Sequence, residues 1–314
     1  MGNIPNNETI QSHGQVCDLC GCASYQVFAT KGRWGSVLTT VICQECGLVY
    51  SNPRPTAEEN AEFYHKKYWG LYKGQSAPDE RFFNRRIPKI RSMLGMLRPF
   101  LKEGVSVLEI GCGVGALLWS LKQSCDGKGN FVGIEPHEGH ARFCRDSKEL
   151  DVHAGLLDEV APKFEPKSFD LVVMNHVLEH TISPTEVFTM VKSLLRPGGH
   201  FVVEVPNIQA PGSRLSHFFH VAHHFNFSPR TLQRLGMKTG FKINRIEELD
   251  GDLERVRLLG VFENHPKVEL DVPHRFIRDD AGERAIALQK YDQWYWFTLA
   301  SIRKKFTHWL LQRG

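Results

Sequence analysis

The stretch from residue 105 to 135 constrains this chain more than any other. It reads as an apolar strand ending in Val107-Leu-Glu109-Ile, a loop with glycines at 111, 113 and 115, a helix from Ala116 to Lys122, and a second strand from Phe131 that closes on Glu135. Strand, glycine-rich loop, helix and strand ending in an acid make a nucleotide-binding βαβ unit, so the fold is α/β with a Rossmann-like sheet. The three glycines let the chain turn sharply and bring backbone amides against a ligand at a helix N-terminus. Glu135, at the tip of the second strand, can accept both hydroxyls of a ribose.

Gly111-x-Gly113-x-x-Ala116 also satisfies the dinucleotide fingerprint, so spacing alone does not choose the ligand. Glu109, two residues before the first glycine, does. A carboxylate at the loop entrance opposes a pyrophosphate and suits a ligand bearing cationic groups. S-adenosylmethionine carries a sulfonium, an ammonium and an adenosine whose ribose would meet Glu135.

On these residues the chain resembles the class I S-adenosylmethionine-dependent methyltransferases. The matching segments are Val107 to Gly115, Gly133-Ile-Glu135-Pro136, Phe169-Asp-Leu-Val-Val-Met-Asn175-His176-Val-Leu-Glu179-His180, and Leu195-Arg-Pro-Gly198-Gly199 through Pro206-Asn207. The resemblance implies a seven-stranded sheet whose last strand is antiparallel, with Gly198-Gly199 turning into strand five. It implies a donor site of Glu109, Gly111, Gly113, Gly115, Glu135, Pro136, Leu156, Asn175 and His176. The family commonly places an acid directly after the glycine of strand three to meet the adenine amine. Here Gly155 is followed by Leu156-Leu157-Asp158, so adenine is expected on backbone groups near Leu156 or on Asp158.

Eight cysteines fall into two groups, and five of them crowd the first 46 residues. Cys17-Asp-Leu-Cys20 and Cys43-Gln-Glu-Cys46 are paired knuckles, each followed by Gly, with a short β-like stretch between them. That arrangement closes a tetrahedral zinc site, and four thiolates leave no open position, so the metal is structural. Cys22 is a less regular substitute for Cys20. A cytoplasmic setting, which keeps thiols reduced, is expected. The unit is too short to bury a core unaided, so metal binding would supply its folding energy.

Composition excludes more than it selects. Hydrophobic residues are 41% of 314, enough for a real core, and 39 Lys plus Arg against 35 Asp plus Glu leave +4, too slight to demand nucleic acid. The first sixteen residues show no signal-peptide pattern, and no apolar run approaches a membrane span. The expected layout is a zinc-binding unit over 1–55, an aromatic helical connector or lid over 56–104, a methyltransferase core over 105–265 and a helical extension over 266–314. Thr56 with Glu59 reads as a helix cap, Tyr64 and Tyr68 as pocket or packing aromatics, 70–78 as a loop, and 79–101 as a helix that Pro88 kinks.

His176-Val-Leu-Glu179-His180 has the spacing of a zinc-protease motif, which requires a helix. Here it follows a continuous apolar run, a buried parallel strand, and so sits at the carboxyl edge of the sheet. His176 is placed beside the cofactor and His180 in the acceptor pocket, the alternative being that Glu179 and His180 only cap the next helix. Downstream, His217, His220, His223 and His224 gather before Phe225-Asn-Phe-Ser228-Pro229. This resembles the His-x-x-x-Phe-Ser-Pro stretch of zinc-bearing relatives that modify sugars, which aligns His223 with the histidine near the methyl acceptor. A second metal is conceivable there, but no acid or thiol joins these histidines and the resemblance implies none. His223 is the expected general base, with His180 or His176 as helper.

Tyr291, Tyr295, Leu299, Ile302, Phe306 and Trp309 fall at helical spacing and suggest packing on the core or in a homodimer, with a membrane surface as the weaker reading. The resemblance implies a small-molecule methyltransferase acting on a sugar nucleotide, glycan or natural-product intermediate. The alternatives are an RNA methyltransferase whose zinc unit binds nucleic acid, which the near-neutral charge opposes, and a non-catalytic scaffold, which the intact Glu109, Glu135 and glycines oppose.

Overall fold

The computed structural model describes residues 15–73, 78–249, 256–266, 287, 288 and 290. The helix expected between Tyr291 and Trp309 lies outside them. Two sheets organise the molecule. The larger has seven strands in the order β10-β11-β8-β7-β4-β5-β6, comprising β4 (Ser106–Ile110), β5 (Asn130–Glu135), β6 (Asp151–Ala154), β7 (Phe169–Asn175), β8 (Leu195–Pro206), β10 (Lys242–Leu249) and β11 (Arg257–Glu263). Strands β6, β5, β4, β7 and β8 run parallel, and β11 inserts antiparallel between β8 and β10. This is the α/β class I methyltransferase sheet with its last strand reversed.

The strands read as continuous apolar runs because helices cover both faces. Apolar clusters lie on each side, one built around Leu108, Phe188, Phe201 and Phe262, the other around Leu97, Val107, Leu121 and Val152. Phe188 stacks edge-on against Phe201 at 4.9 Å and Phe262 at 5.0 Å, which fixes β11 beside β8. Gly198, at φ +80, makes the bulge that starts β8, and its amide donates to Asn264 at 2.7 Å.

The smaller sheet is β1 (Tyr25–Lys31), β2 (Val37–Cys43), β3 (Val49–Ser51) and β9 (Phe225–Asn226), all antiparallel. Its fourth strand belongs to the segment after β8, so the cysteine-bearing hairpins are stitched to the larger sheet. Cys17, Leu19, Cys43 and Tyr50 share one apolar cluster with Phe169 and Leu235.

Helix α1 (Ala57–Glu62) opens with the Thr56/Glu59 capping box. A π-helical turn, Phe63–Lys67, joins it to α2 (Tyr68–Lys73), so the segment read as loop from residue 70 is helical through 73. The expected helix over 79–101 is instead broken: α3 (Glu80–Arg86), a 3-10 turn over Ile87–Ile90 holding Pro88, α4 (Arg91–Leu97) and a second 3-10 turn, Arg98–Phe100. Pro88 and Pro99 lack the amides an unbroken ladder needs. Helices α5 (Ala116–Ser124), α6 (Glu138–Lys148), α7 (Leu157–Val160), α8 (Pro184–Leu194), α9 (Leu215–Phe218) and α10 (Pro229–Lys238) complete the described elements. None of the described helices is long and apolar enough to cross a membrane.

Candidate functional site

A cavity of about 1200 Å³ opens at the carboxyl ends of the parallel strands, where open α/β sheets bind ligands. Glu109, Gly111, Gly113, Glu135, Pro136, Leu156, Asn175, His176, His180 and His223 all line it. Gly115 serves from behind: at φ +74 it precedes α5, and a Cβ there would come within 2.6 Å of Leu150. Gly111 sits at φ +71, and a Cβ on it would lie 2.5 Å from Val177 Cγ2. Gly111→Ala should therefore strain the backbone and push the 176–180 turn, weakening donor binding at least tenfold. Calorimetric titration with S-adenosylhomocysteine checks this, and unchanged affinity would refute it.

Glu135 is buried and doubly anchored: its Oε2 accepts the Gly113 amide at 2.9 Å and its Oε1 the His137 amide at 3.0 Å. These bonds tie the glycine loop to the tip of β5 and fix the carboxylate for hydroxyl donors. Glu109 is 4% exposed, and its Oε2 has no hydrogen-bond partner among the described residues. Burial raises its carboxyl to about 8, and nearby Glu135 adds to this while Arg86 opposes it. A cation delivered into the cleft would ionise it. The Leu156 amide donates to Glu159 at 2.7 Å, so it is already engaged; Asp158 and Leu157 line the same wall.

His176 leaves β7 at φ +56, a left-handed conformation costing about 1 kcal/mol or more for a non-glycine residue. Its amide donates to the Glu204 carbonyl at 2.9 Å, and its ring lies 3.1 Å from Glu204 Oε1 and 3.4 Å from Glu179 Oε1. Arg257 donates to the same Glu204 oxygen at 2.8 Å. Burial works against an imidazolium here, yet the two carboxylates outweigh it and raise His176 to about 9. The charged ring is favoured in the fold, so its stabilising effect is complete below about pH 6.5 and is lost as pH rises through 9. Because the side chain is 42% exposed, solvent screening trims the effect. The melting-temperature gap between wild type and His176→Gln should narrow from pH 6 to pH 10. A gap independent of pH would count against this charge state.

Residues 178–180 form a 3-10 turn, not the helix a zinc protease requires, and the cap of α8 is Ser183, not Glu179 or His180. His180 instead lines the cavity. Its Nδ1 lies 2.6 Å from the Ala222 carbonyl, which also accepts the Tyr64 hydroxyl at 3.1 Å. The rings of Tyr64, Tyr68 and His223 pack on it at 5.8, 5.6 and 4.8 Å. His220 stacks on His223 at 3.7 Å. Burial, then the neighbouring His180 and His220, push His223 well below its usual pKa, so its imidazole is held in the neutral form. His224 points elsewhere: its Nε2 meets buried Asn60 Oδ1 at 3.0 Å, and burial lowers it to about 3.

The expectation that no acid adjoins the histidine cluster is overturned. Glu179, His180 and His223 each offer a ligand atom within 4.8 Å of the others. Glu179 shares the turn after β7 with His180, and its carbonyl accepts the His224 amide at 2.8 Å, so the fold brings it to His223. Glu204 was also overlooked as a site residue; its signal was an acid inside the apolar run Phe201 to Val205.

Away from this cavity, the sulfurs of Cys17, Cys20, Cys43 and Cys46 lie within 4.8 Å of one another. Cys17 meets Cys46 at 3.5 Å and Cys20 meets Cys43 at 3.4 Å, close to the roughly 3.8 Å separation of ligands on a tetrahedral zinc. Contacts with Cys17, Cys20 and Cys43, then burial, push the Cys46 thiol far up, so four thiolates coexist only around a cation. Cys22 stands outside, bonded to Ser24. Asp18 accepts Ser183 Oγ and Thr185 Oγ1, each at 2.7 Å, and Arg234 donates to the Cys46 carbonyl at 3.0 Å, clamping these loops onto α8 and α10.

Residues 81–246, just over half of the chain, match the family described as "Methyltransferase domain". The chain is similar to a tRNA U34 carboxymethyltransferase of Idiomarina loihiensis, 31% identical over 154 residues, 43% of this chain and 46% of that protein. It is also similar to a ubiquinone biosynthesis O-methyltransferase of Vibrio atlanticus, 31% identical over 99 residues, 31% of this chain and 41% of that protein. The chain thus spans less than half the length of these curated relatives. A chain from the complex between the Haloferax volcanii Trm112 methyltransferase activator and a methyltransferase superposes with a TM-score of 0.50 at 17% identity, covering 64% of this chain and 97% of that one, a likeness of fold alone. With the seven-stranded sheet and the matched domain in agreement, the chain belongs to the methyltransferase-domain family of class I S-adenosylmethionine-dependent enzymes.

Proposed function

We propose that the protein transfers the methyl group of S-adenosylmethionine to a small polar molecule, of the class of a sugar nucleotide, glycan or natural-product intermediate. The observation that carries this reading is the far half of the cavity, a wall of Tyr64, Tyr68, His180, His220 and His223 set across from the glycine loop. A pocket of this size, lined by aromatic rings and a few convergent polar groups, suits a donor together with a compact acceptor. When bound, the donor supplies a methyl already activated on a sulfonium. Glu109 faces its cationic end and Glu135 its ribose, while Asn175, Pro136 and the 155–158 turn flank the adenosine. His223, neutral and half-buried, takes the acceptor's proton, with His180 or His176 helping to orient it.

The four cysteines are read as a structural zinc site within a unit over 1–55. The remaining layout is a lid over 56–104, a core over 105–265 and an extension over 266–314 that could serve a homodimer.

RNA methylation is the second reading, favoured by one finding: the Idiomarina relative acts, by its name, on tRNA U34. Against it stand the +4 net charge and a cysteine unit with only Lys31 and Arg33 as bases between Cys17 and Cys46. Incubation with carbon-13-methyl S-adenosylmethionine and a cell extract split into small-molecule and RNA fractions decides between them. Label in small molecules is the expected result, and its chemical shift reports O, N or C attachment. Label confined to RNA would replace the first reading with the second.

A further inference from the structure

We propose that the acceptor half of the cavity is a second metal centre, in which Glu179, His180 and His223 bind one divalent first-row transition ion independently of the four cysteines. Two imidazoles and one carboxylate are a donor set for such ions, and three protein ligands leave positions open toward the cavity. The three ligand atoms already lie within 4.8 Å of one another. Ligands on a common ion at roughly 2.1 Å sit about 3 to 3.5 Å apart, so a contraction of about an ångström closes the site.

Two further observations point to a cation. Glu179 is 1% exposed, yet neither of its oxygens has a hydrogen-bond partner among the described residues. A carboxylate buried in that way is costly unless a cation meets it. The charged His176 ring already meets Oε1 at 3.4 Å with one nitrogen and Glu204 at 3.1 Å with the other, which leaves Glu179 Oε2 as the oxygen with no ion-pair partner among the described residues. The second observation is the tautomer of His180. With Nδ1 held 2.6 Å from the Ala222 carbonyl it must carry the proton there, which makes Nε2, 4.0 Å from Glu179 Oε1, the ring's ligand atom. A ring nitrogen donating to a backbone carbonyl, with the other nitrogen left to ligate, is the outer-shell arrangement of metal-binding histidines. His223 adds a ring whose Nδ1 is buried without a hydrogen-bond partner among the described residues.

The inference rests on the acceptor pocket identified under the proposed function and narrows its substrate. Open positions on an ion there fit an acceptor with two adjacent oxygens, such as a vicinal diol or hydroxy-carbonyl group, and the ion would hold the hydroxyl and lower its pKa. In the loaded protein His223 is a ligand in place of its role as base, and the proton of the ion-bound hydroxyl leaves to water in the open cavity.

The test loads the full-length chain with cobalt(II), dialyses it, and measures total metal per chain by mass spectrometry beside the thiolate-to-cobalt absorption band. Wild type should hold two ions. Glu179→Gln and His223→Gln should each hold one and keep the thiolate band, which reports an intact cysteine site and a folded chain. One ion in wild type with a full thiolate band would overturn the proposal, as would two ions in both variants. Calorimetric titration of the same samples with S-adenosylhomocysteine separates the two readings: failure to bind it would sink the methyl-transfer assignment and leave the metal count to stand or fall by itself.

Discussion

A chelator strong enough to strip zinc from four thiolates is expected to melt the protein as a whole, not just its first fifty residues. Zinc held by thiolates is worth about 10–16 kcal/mol of folding free energy in small domains, comparable with or above the ~5–15 kcal/mol stability of an entire domain. The loss would not stay local. Cys17, Cys43 and Cys46 are buried in the same apolar cluster as Phe188, Phe201 and Leu235. The loops they close are tied to α8 by Asp18 and to α10 by Arg234, and the cysteine sheet takes its fourth strand from residues 225–226. Thermal unfolding with and without chelator, and of Cys43→Ser, should show one transition shifted down by tens of degrees. An unchanged melting temperature would show that the four sulfurs hold no ion of consequence.

Glu109→Gln should push stability and donor affinity in opposite directions. In the fold this carboxyl has a pKa of about 8 against an ordinary 4.5, so the folded chain keeps a proton that the unfolded chain releases. Stability therefore falls as pH rises from 4.5 to 8, and the penalty is complete above 8. A neutral isostere removes it, which should stabilise the donor-free protein by a few kcal/mol, about 1.4 for each pKa unit as an upper bound, at pH 8.5 and by little at pH 4.5. Donor binding should suffer, because the ammonium loses the buried charge that meets it. Truncating such a pair costs roughly 2–5 kcal/mol, or about thirtyfold to several thousandfold in affinity. Denaturant unfolding at both pH values and titration with S-adenosylhomocysteine measure the two arms. A variant no more stable at pH 8.5 and equally good at binding would remove Glu109 from the donor site.

The glycine loop and Glu135 were legible because they are local in sequence. Gly111, Gly113 and Gly115 must accept positive φ within one five-residue loop, and Glu135 lies at the end of the next strand, so spacing and residue type already imply the geometry. The cysteine knuckles were legible for the same reason, since metal-ligand spacing is a short-range code. Helix bounds near prolines were less so: Pro88 and Pro99 break into 3-10 turns what periodicity reads as one helix.

The acceptor half could not be read that way. Tyr64, Glu179, His180 and His223 span some 160 positions, and they meet only because the turn after β7 is bonded to the segment before β9, His224 N–H to the Glu179 carbonyl, and the π-helical turn after α1 brings Tyr64 to the Ala222 carbonyl. Residue type named His223 and His180 as candidates, but it could not say that Glu179 faces them or that Glu204 and Arg257 clamp His176. By itself the sequence determined the sheet, the glycine loop and the cysteine cluster, because each follows from local backbone geometry or ligand spacing. Tertiary structure alone decided which titratable groups share the acceptor pocket and which of them are charged, because burial and long-range contact set both.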